Sequence, residues 1–327
     1  MSHMDNILRE VDRILGVVNT HPEFSHCVDK EKRLALKEDA RKYSLKIEGI
    51  ENSGAYSHLK NTEDCLYQQG LGISTLTLLG NLIDPGVNPE KRFRNVDPAH
   101  PDQVVEIADT GSLKVHPPVA REVIGGMMNL IDYLDLIDDH PIIRASEAHL
   151  EIARIHPYGG GNGRAARLIQ NYCLDERGYP VAVISSNERS FYQSLIQNAL
   201  EERVSEKSSP FSDKGKNVML FHEFIASRVL NSVVDLQREL SEKRAFMIDL
   251  KGHYDPGLAY TIAQIIRNHS RFPRRKGVKA NIDKKTNGKK GTSIKIIGDI
   301  GRKDVENLLE SLSDRYRIKY EIKTLGC

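Results

Sequence analysis

HPYGGGNGRAAR, His156 to Arg167, is the stretch on which the reading of this 327-residue chain turns. Upstream of it Ala145, Ala148, Ile152 and Ile155 recur at three- and four-residue steps, the period of a helix with one apolar face. Pro157 ends that helix and leaves His156 at its C-terminal end. Gly159, Gly160 and Gly161, followed by Asn162 and Gly163, free the backbone to take positive φ and to turn its N–H groups toward one point, where an anion fits. Leu168, Ile169 and Tyr172 restart the helical period, so the loop feeds a helix N-terminus whose partial positive charge also favours phosphate. Arg164 and Arg167, three apart, lie on neighbouring faces of that first turn.

An imidazole, a glycine nest, an amide and two guanidiniums in one short run amount to a proton acceptor beside a polyphosphate cradle. That composition points to phosphoryl or nucleotidyl transfer; a plain glycine-rich connection with two solvated arginines is the alternative. No GK(S/T) follows the glycines, which excludes a Walker loop, and a helix rather than a strand precedes them, which excludes a dinucleotide fingerprint. The run resembles the Fic family motif HPFx(D/E)GNGRxxR. His156, Pro157, Gly161, Asn162, Gly163, Arg164 and Arg167 agree with it, and Tyr158 stands in for Phe. Gly160 departs, standing where the family carries the acidic residue that holds a divalent cation.

The composition is that of a globular protein, 39% hydrophobic and 28% charged, with length enough for two or three domains. No apolar run is long enough to span a bilayer and no secretory leader is evident, so neither a membrane span nor Sec export is expected. Cys27, Cys65, Cys173 and Cys327 form no CxxC pair, which fits a reducing compartment. The expected location is cytoplasmic, or a host cell if the protein is a delivered effector. The net charge of +2 conceals an asymmetry, because residues 271–290 hold nine Lys or Arg and one Asp.

Taken in order, residues 5–46 carry a helical stripe through Ile7, Val11, Ile14 and Leu15. Ser44, Glu48 and Gly49 then fit (S/T)xxxE(G/N), which resembles the inhibitory motif of many Fic proteins. Ser44 and Glu48 share a helix face and Gly49 suits its end. Residues 61–84 read as helix up to Pro85-Gly86, and Val119–Leu136 as another. Between them Val104, Val105 and Ile107, a turn at Asp109-Thr110-Gly111, then Leu113 and Val115 read as a β-hairpin. Helix is expected again over Val218–Asp249. Ile294, Ile296 and then Ile318, Tyr320 and Ile322 alternate like strands around a helix from about Lys303 to Leu312. The expected fold is mainly α, a Fic-type helical bundle with a β-hairpin flap and a small C-terminal α+β accessory domain. Its expected divisions are an N-terminal region 5–60, a catalytic core 61–250 and a basic domain 251–327.

The resemblance implies a protein adenylyltransferase that moves AMP from ATP to a Ser, Thr or Tyr hydroxyl. In it His156 is the base, Gly161, Asn162, Gly163, Arg164 and Arg167 hold phosphates, and Tyr192 lies near adenine. Glu48 pairs with Arg167 and blocks the γ-phosphate, with Ser44 and Gly49 completing the inhibitory motif. Val104, Val105, Glu106 and Ile107 belong to a flap that aligns a target by strand addition. ATP is the substrate and Mg2+ the implied cation, its hold weakened by Gly160; no protein metal ligand is named. The protein target is open, self-modification included, and residues 271–290 offer contact with nucleic acid or chromatin. Transfer from another diphosphate donor, removal of AMP, and a non-catalytic nucleotide sensor that binds DNA are the competing readings.

Overall fold

The computed structural model describes residues 2–19, 22–90, 92–94, 115–206, 215–242, 244–251, 256–268, 279–283, 292–298 and 302–325. In chain order its elements are α1 (His3–Asn19), α2 (Pro22–Ile47), α3 (Ser53–Gln69), α4 (Ile73–Ile83), α5 (Ala120–Leu136), α6 (Pro141–Ile155), α7 (Asn162–Glu176), α8 (Arg189–Glu206), α9 (Lys216–Glu242), β1 (Arg244–Lys251), α10 (Pro256–Asn268), β2 (Lys279–Asp283), β3 (Thr292–Gly298), α11 (Arg302–Tyr316) and β4 (Lys319–Leu325). They divide into two compact units, Met1–Leu15 with Arg33–Val234, and Gly16–Lys32 with Asp235–Cys327.

The first unit is helical. Its core draws Leu59 and Leu66 from α3, Leu76, Leu79 and Ile83 from α4, Val123, Met127 and Leu130 from α5, and Ala148, Ile152 and Ile155 from α6. Ala165, Ala166 and Ile169 of α7 complete it, the alanines letting α6 and α7 pack closely. Each fully buried aliphatic side chain here is worth roughly 1.5–3 kcal/mol of transfer free energy. Tyr158 carries the loop between α6 and α7 into this core: its ring is fully buried and its hydroxyl donates to the Leu76 carbonyl at 2.7 Å. Gly80 makes room for that ring, since a Cβ there would stand 2.5 Å from Tyr158 Cδ1.

Local chemistry fixes where α6 and α7 stop and start. Pro141 opens α6, and His140 caps it by accepting the Ile142 N–H at Nδ1. His156 closes α6 in the left-handed region, φ 50°, while its N–H still donates to the Ile152 carbonyl. Of the three consecutive glycines only Gly161 takes positive φ, 79°, just before α7. The expectation that all three supply such freedom is corrected; Gly159 and Gly160 are required for close approach, as shown below.

Residues 61–84 are not one helix: Gly70 to Gly72 separate α3 from α4. The expected division at 60/61 falls inside α3, whose Leu59 and Leu66 join one core.

The second unit is a four-stranded antiparallel sheet, order β2-β3-β1-β4, built from the sequence β1-α10-β2-β3-α11-β4. This is the split βαβ, ferredoxin-like arrangement. Alternate residues Phe246, Ile248 and Leu250 of β1 join Ile294 and Ile296 of β3, with Ile262 and Ile266 of α10 and Val305 and Leu309 of α11. The mainly helical fold with a small α+β unit is as expected, but β1 was not. Helix stops at Glu242 and a strand occupies residues expected to stay helical to Asp249, because the period of two through Phe246, Ile248 and Leu250 prevails. The accessory domain therefore begins before residue 251.

The hairpin apart from Val115, including its flap residues Val104, Val105, Glu106 and Ile107, lies outside the described residues. So does the basic segment 271–290 apart from β2. Among the described residues no helix is long and apolar enough to cross a membrane.

Candidate active site

His156, Gly163, Arg167, Glu48 and Tyr192 line one cavity of about 460 Å³, together with apolar walls that include Ile47, Ile196 and Leu200. Two clamps hold the loop that presents His156. Arg94 donates from Nε to the His156 carbonyl at 2.8 Å, from Nη2 to the Ile155 carbonyl at 3.3 Å and also to the Pro118 carbonyl, while its backbone N–H meets the Pro157 carbonyl at 2.8 Å. Asn88 accepts the Gly159 N–H at 2.8 Å and donates to the Gly160 carbonyl at 3.1 Å and the Gly80 carbonyl at 3.0 Å. The glycines permit this approach: a Cβ on Gly159 would lie 3.2 Å from Asn88 Oδ1, and one on Gly160 would lie 2.8 Å from Val87 Cγ1.

The imidazole of His156 has Nδ1 buried and without a hydrogen bond of good geometry. Burial pushes its pKa down to about 4, with the Ala153 backbone opposing and the Arg94 charge adding to the fall. The ring is thus neutral at pH 7, as a base must be, but less basic than a solvated imidazole.

Glu48 reaches the N-terminus of α7, where a Cβ on Gly163 would stand 2.9 Å from its Oε1. Gly49 follows with φ 71°, turning the chain out of the end of α2. Glu48 Oε1 accepts Arg167 Nη2 at 2.6 Å, and Oε2 lies 2.7 Å from Arg164 Nε, close in distance although that N–H is not aligned for a hydrogen bond. Glu48 thus meets Arg167, and the same carboxylate also reaches the other motif arginine, Arg164. Ser44 holds Arg167 as well, accepting Nε at its hydroxyl at 2.8 Å and Nη2 at its carbonyl at 3.0 Å. Burial disfavours the Arg167 charge, but Tyr192 and Glu48 outweigh it and raise its pKa. Arg164 turns toward the end of α4, with Asp84 at 2.8 Å and the Ile83 carbonyl at 3.2 Å.

Two expected phosphate or base contacts are otherwise engaged. The Asn162 side chain accepts the Tyr158 N–H and donates to the Tyr158 carbonyl, both at 2.9 Å, so it closes the loop while the residue lines the cavity. Tyr192 is 2% exposed, and its hydroxyl meets His149 Nε2 at 2.9 Å and Arg167 Nη1 at 3.3 Å.

The sequence model of the Fic/DOC family matches residues 76–174, from α4 through the clamped loop into α7. The chain carries a Fic domain. Over 62 residues it is 40% identical to the protein adenylyltransferase Fic of Aedes aegypti, and equally to that of Drosophila melanogaster. That stretch is 19% of this chain and only 12% and 13% of those relatives. Among solved structures, a Fic domain containing signaling protein from Bacteroides thetaiotaomicron aligns with TM-score 0.60 at 16% identity, covering 71% of this chain and 98% of that one. A Fic family protein from Desulfovibrio desulfuricans aligns with TM-score 0.57 at 16% identity, covering 90% and 96%. At such identity these two likenesses concern the Fic fold.

The Fic loop of this chain does not suit a protein-bound divalent cation. Gly160 has no carboxylate, and Val87 occupies the space where a side chain would begin. The nearby carboxylates of Glu48 and Asp84 face Arg164 and Arg167. Among the described residues no cluster of His, Cys, Asp and Glu has the makings of a metal site.

Sequence reasoning missed Asn88, Arg94 and Asp84, which follow α4 in a stretch without periodicity. It also missed His149, which is fully buried and forms part of the cavity wall. The one available signal was its place between Ala148 and Ile152, at the edge of the apolar face of α6.

Proposed function

We propose that the chain transfers AMP from ATP to a Ser, Thr or Tyr hydroxyl of a protein, and that Glu48 holds the site off. One observation carries this reading: a neutral imidazole and a buried guanidinium line the same cavity as the carboxylate that neutralises that guanidinium. With Glu48 withdrawn, Arg167 and Arg164 are left as cations beside a helix N-terminus, a setting for polyphosphate.

His156 removes the proton from the attacking hydroxyl as its oxygen bonds to the α-phosphorus and the bond to the pyrophosphate oxygen breaks. Nδ1 is buried, which leaves Nε2 for the hydroxyl. Backbone N–H groups around Gly161 to Gly163 hold the α- and β-phosphates, and Arg167 the γ-phosphate. The contribution is positioning and charge stabilisation. Ile47, Ile196 and Leu200 offer a flat base apolar walls. AMP as the transferred group is supported by the relatives' name, protein adenylyltransferase. A divalent cation, where needed, enters as part of the substrate, since the chain supplies it no carboxylate at Gly160. The nine basic residues within 271–290 support a nucleic-acid or chromatin partner as a separate reading.

Whole-protein mass spectrometry of the Glu48→Gly variant, incubated with cell extract and ATP, GTP, CTP or CDP-choline, tests the proposal. An AMP increment on the variant or an extract protein, with ATP alone, is expected. An increment from another donor names that donor instead, and ATP binding without any increment favours the sensor reading.

A further inference from the structure

We propose that Tyr192, His149 and Gln170 form a one-way hydrogen-bond relay that keeps the Arg167 fork oriented for phosphate once Glu48 has withdrawn. Tyr192 and His149 are then positioning residues. The inference rests on the adenylyl-transfer reading only for what Arg167 meets next.

The hydrogen-bond partners of Arg167 fall into two groups. Ser44 and Glu48, which take Nε and Nη2, belong to α2 and the turn after it, the element that must retreat for a nucleotide to enter. Tyr192, which takes Nη1, belongs to α8. Behind it the contacts continue: Tyr192 hydroxyl to His149 Nε2 at 2.9 Å, His149 Nδ1 to Gln170 Oε1 at 2.7 Å, and Gln170 Nε2 to Asn171 Oδ1 at 3.3 Å. Asn171 Oδ1 also accepts the Ala182 backbone N–H at 3.0 Å.

Both ends of this chain have fixed polarity. A guanidinium can only donate, so Tyr192 accepts from Arg167 and must send its own proton to His149 Nε2. The Ala182 N–H can only donate, so Asn171 presents its oxygen, Gln170 turns its amide nitrogen toward it, and Gln170 Oε1 is left to accept from His149. His149 is thereby confined to the neutral tautomer with hydrogen on Nδ1. Its ring and Gln170 are 0% exposed and Tyr192 is 2% exposed, so the links from Arg167 through Tyr192 and His149 to Gln170 are buried, while the last link to Asn171 is part-buried. The other tautomer would set donor against donor at Tyr192 and lone pair against oxygen at Gln170, each an unmet buried group. Burial drives the His149 pKa to about 3, in keeping with a ring that never charges.

Two measurements on the full chain test this. The first is the tautomer of His149, read by long-range nitrogen–proton correlation in protein carrying heavy-nitrogen histidine. Hydrogen on Nδ1 is expected, and hydrogen on Nε2 overturns the relay whatever the protein's activity. The second is calorimetric binding of ATP and ADP in the Glu48→Gly background. Tyr192→Phe should lower the preference for ATP over ADP roughly tenfold, the scale of one charge-assisted hydrogen bond, with ADP binding unchanged. His149→Leu should do the same and His149→Gln, which restores an acceptor, should recover most of it. Equal weakening of ATP and ADP, or no change in their ratio, overturns the positioning role. If Glu48→Gly alone shows no preference for ATP over ADP, the functional reading of Arg167 fails, and the tautomer still decides the relay.

Discussion

His156 is held uncharged by its surroundings. In a nuclear magnetic resonance titration its imidazole should stay neutral down to near pH 4, where a solvated ring protonates near 6.5; protonation near 6.5 would mean the ring is more open than described. The sign for stability follows. A pKa lower in the folded chain than in the unfolded one means the unfolded chain takes up the proton first, so stability is full above about pH 6.5 and declines as pH falls toward 4. Glu48 matters for the opposite reason, because removing it strips two guanidiniums of one counter-charge. Glu48→Gly should lower the stability of the empty protein by about 2 kcal/mol in denaturant melts, and tripolyphosphate should restore most of it; an unchanged midpoint would show that the bridge contributes nothing. At this scale Ser44, Glu48, His156 and Arg167 are legible only through the resemblance to two Fic motifs, since spacing orders each motif within itself but does not bring Glu48 to Arg167, 119 positions away. The duties of Asn162 and Tyr192 are not, because their partners are chosen by packing across distant parts of the chain.

The element that matters most is the connection leaving α4. Its Asn88 and Arg94 grip the backbone of the Fic loop, and Val87 fills the space beside Gly160. Asn88→Ala leaves the Gly159 N–H without its partner and should cost about 1–3 kcal/mol, read by denaturant melts, with loss of label transfer in the Glu48→Gly background. Gly160→Asp, which restores the family pattern, must displace Val87. Magnesium dependence should therefore strengthen only in the Gly160→Asp/Val87→Ala double variant; an equal response from the single variant would mean that Val87 yields freely. The helices on either side of the loop are legible from their period, their caps and Pro157. The clamps are not, since Asn88 and Arg94 act on residues more than sixty positions away and carry no local pattern.

Across the whole molecule, a helical Fic unit and a ferredoxin-like sheet unit each bury a core of their own. Ile248 is the centre of the second, paired with Ile294 on one side and Ile322 on the other and fully buried. Ile248→Ala should cost about 2–5 kcal/mol in chemical denaturation, and a loss below 1 kcal/mol would argue against that core. Of the strands of this unit only β3 and β4 are legible from their alternation; β2 lies within the basic run, whose lysines hide it. β1 is not legible, because its alternation follows a long helix without a turn signal between them. His156 and Arg167 share one cavity with Glu48, the carboxylate paired with that arginine, and on the proposed function these are base, phosphate anchor and inhibitor. The direct test is label transfer from α-labelled ATP by Glu48→Gly and by Glu48→Gly/His156→Ala, each checked for ATP binding. Covalent label with the first and none with the second is the predicted result; equal labelling by both, or none by the first while it binds ATP, would contradict it.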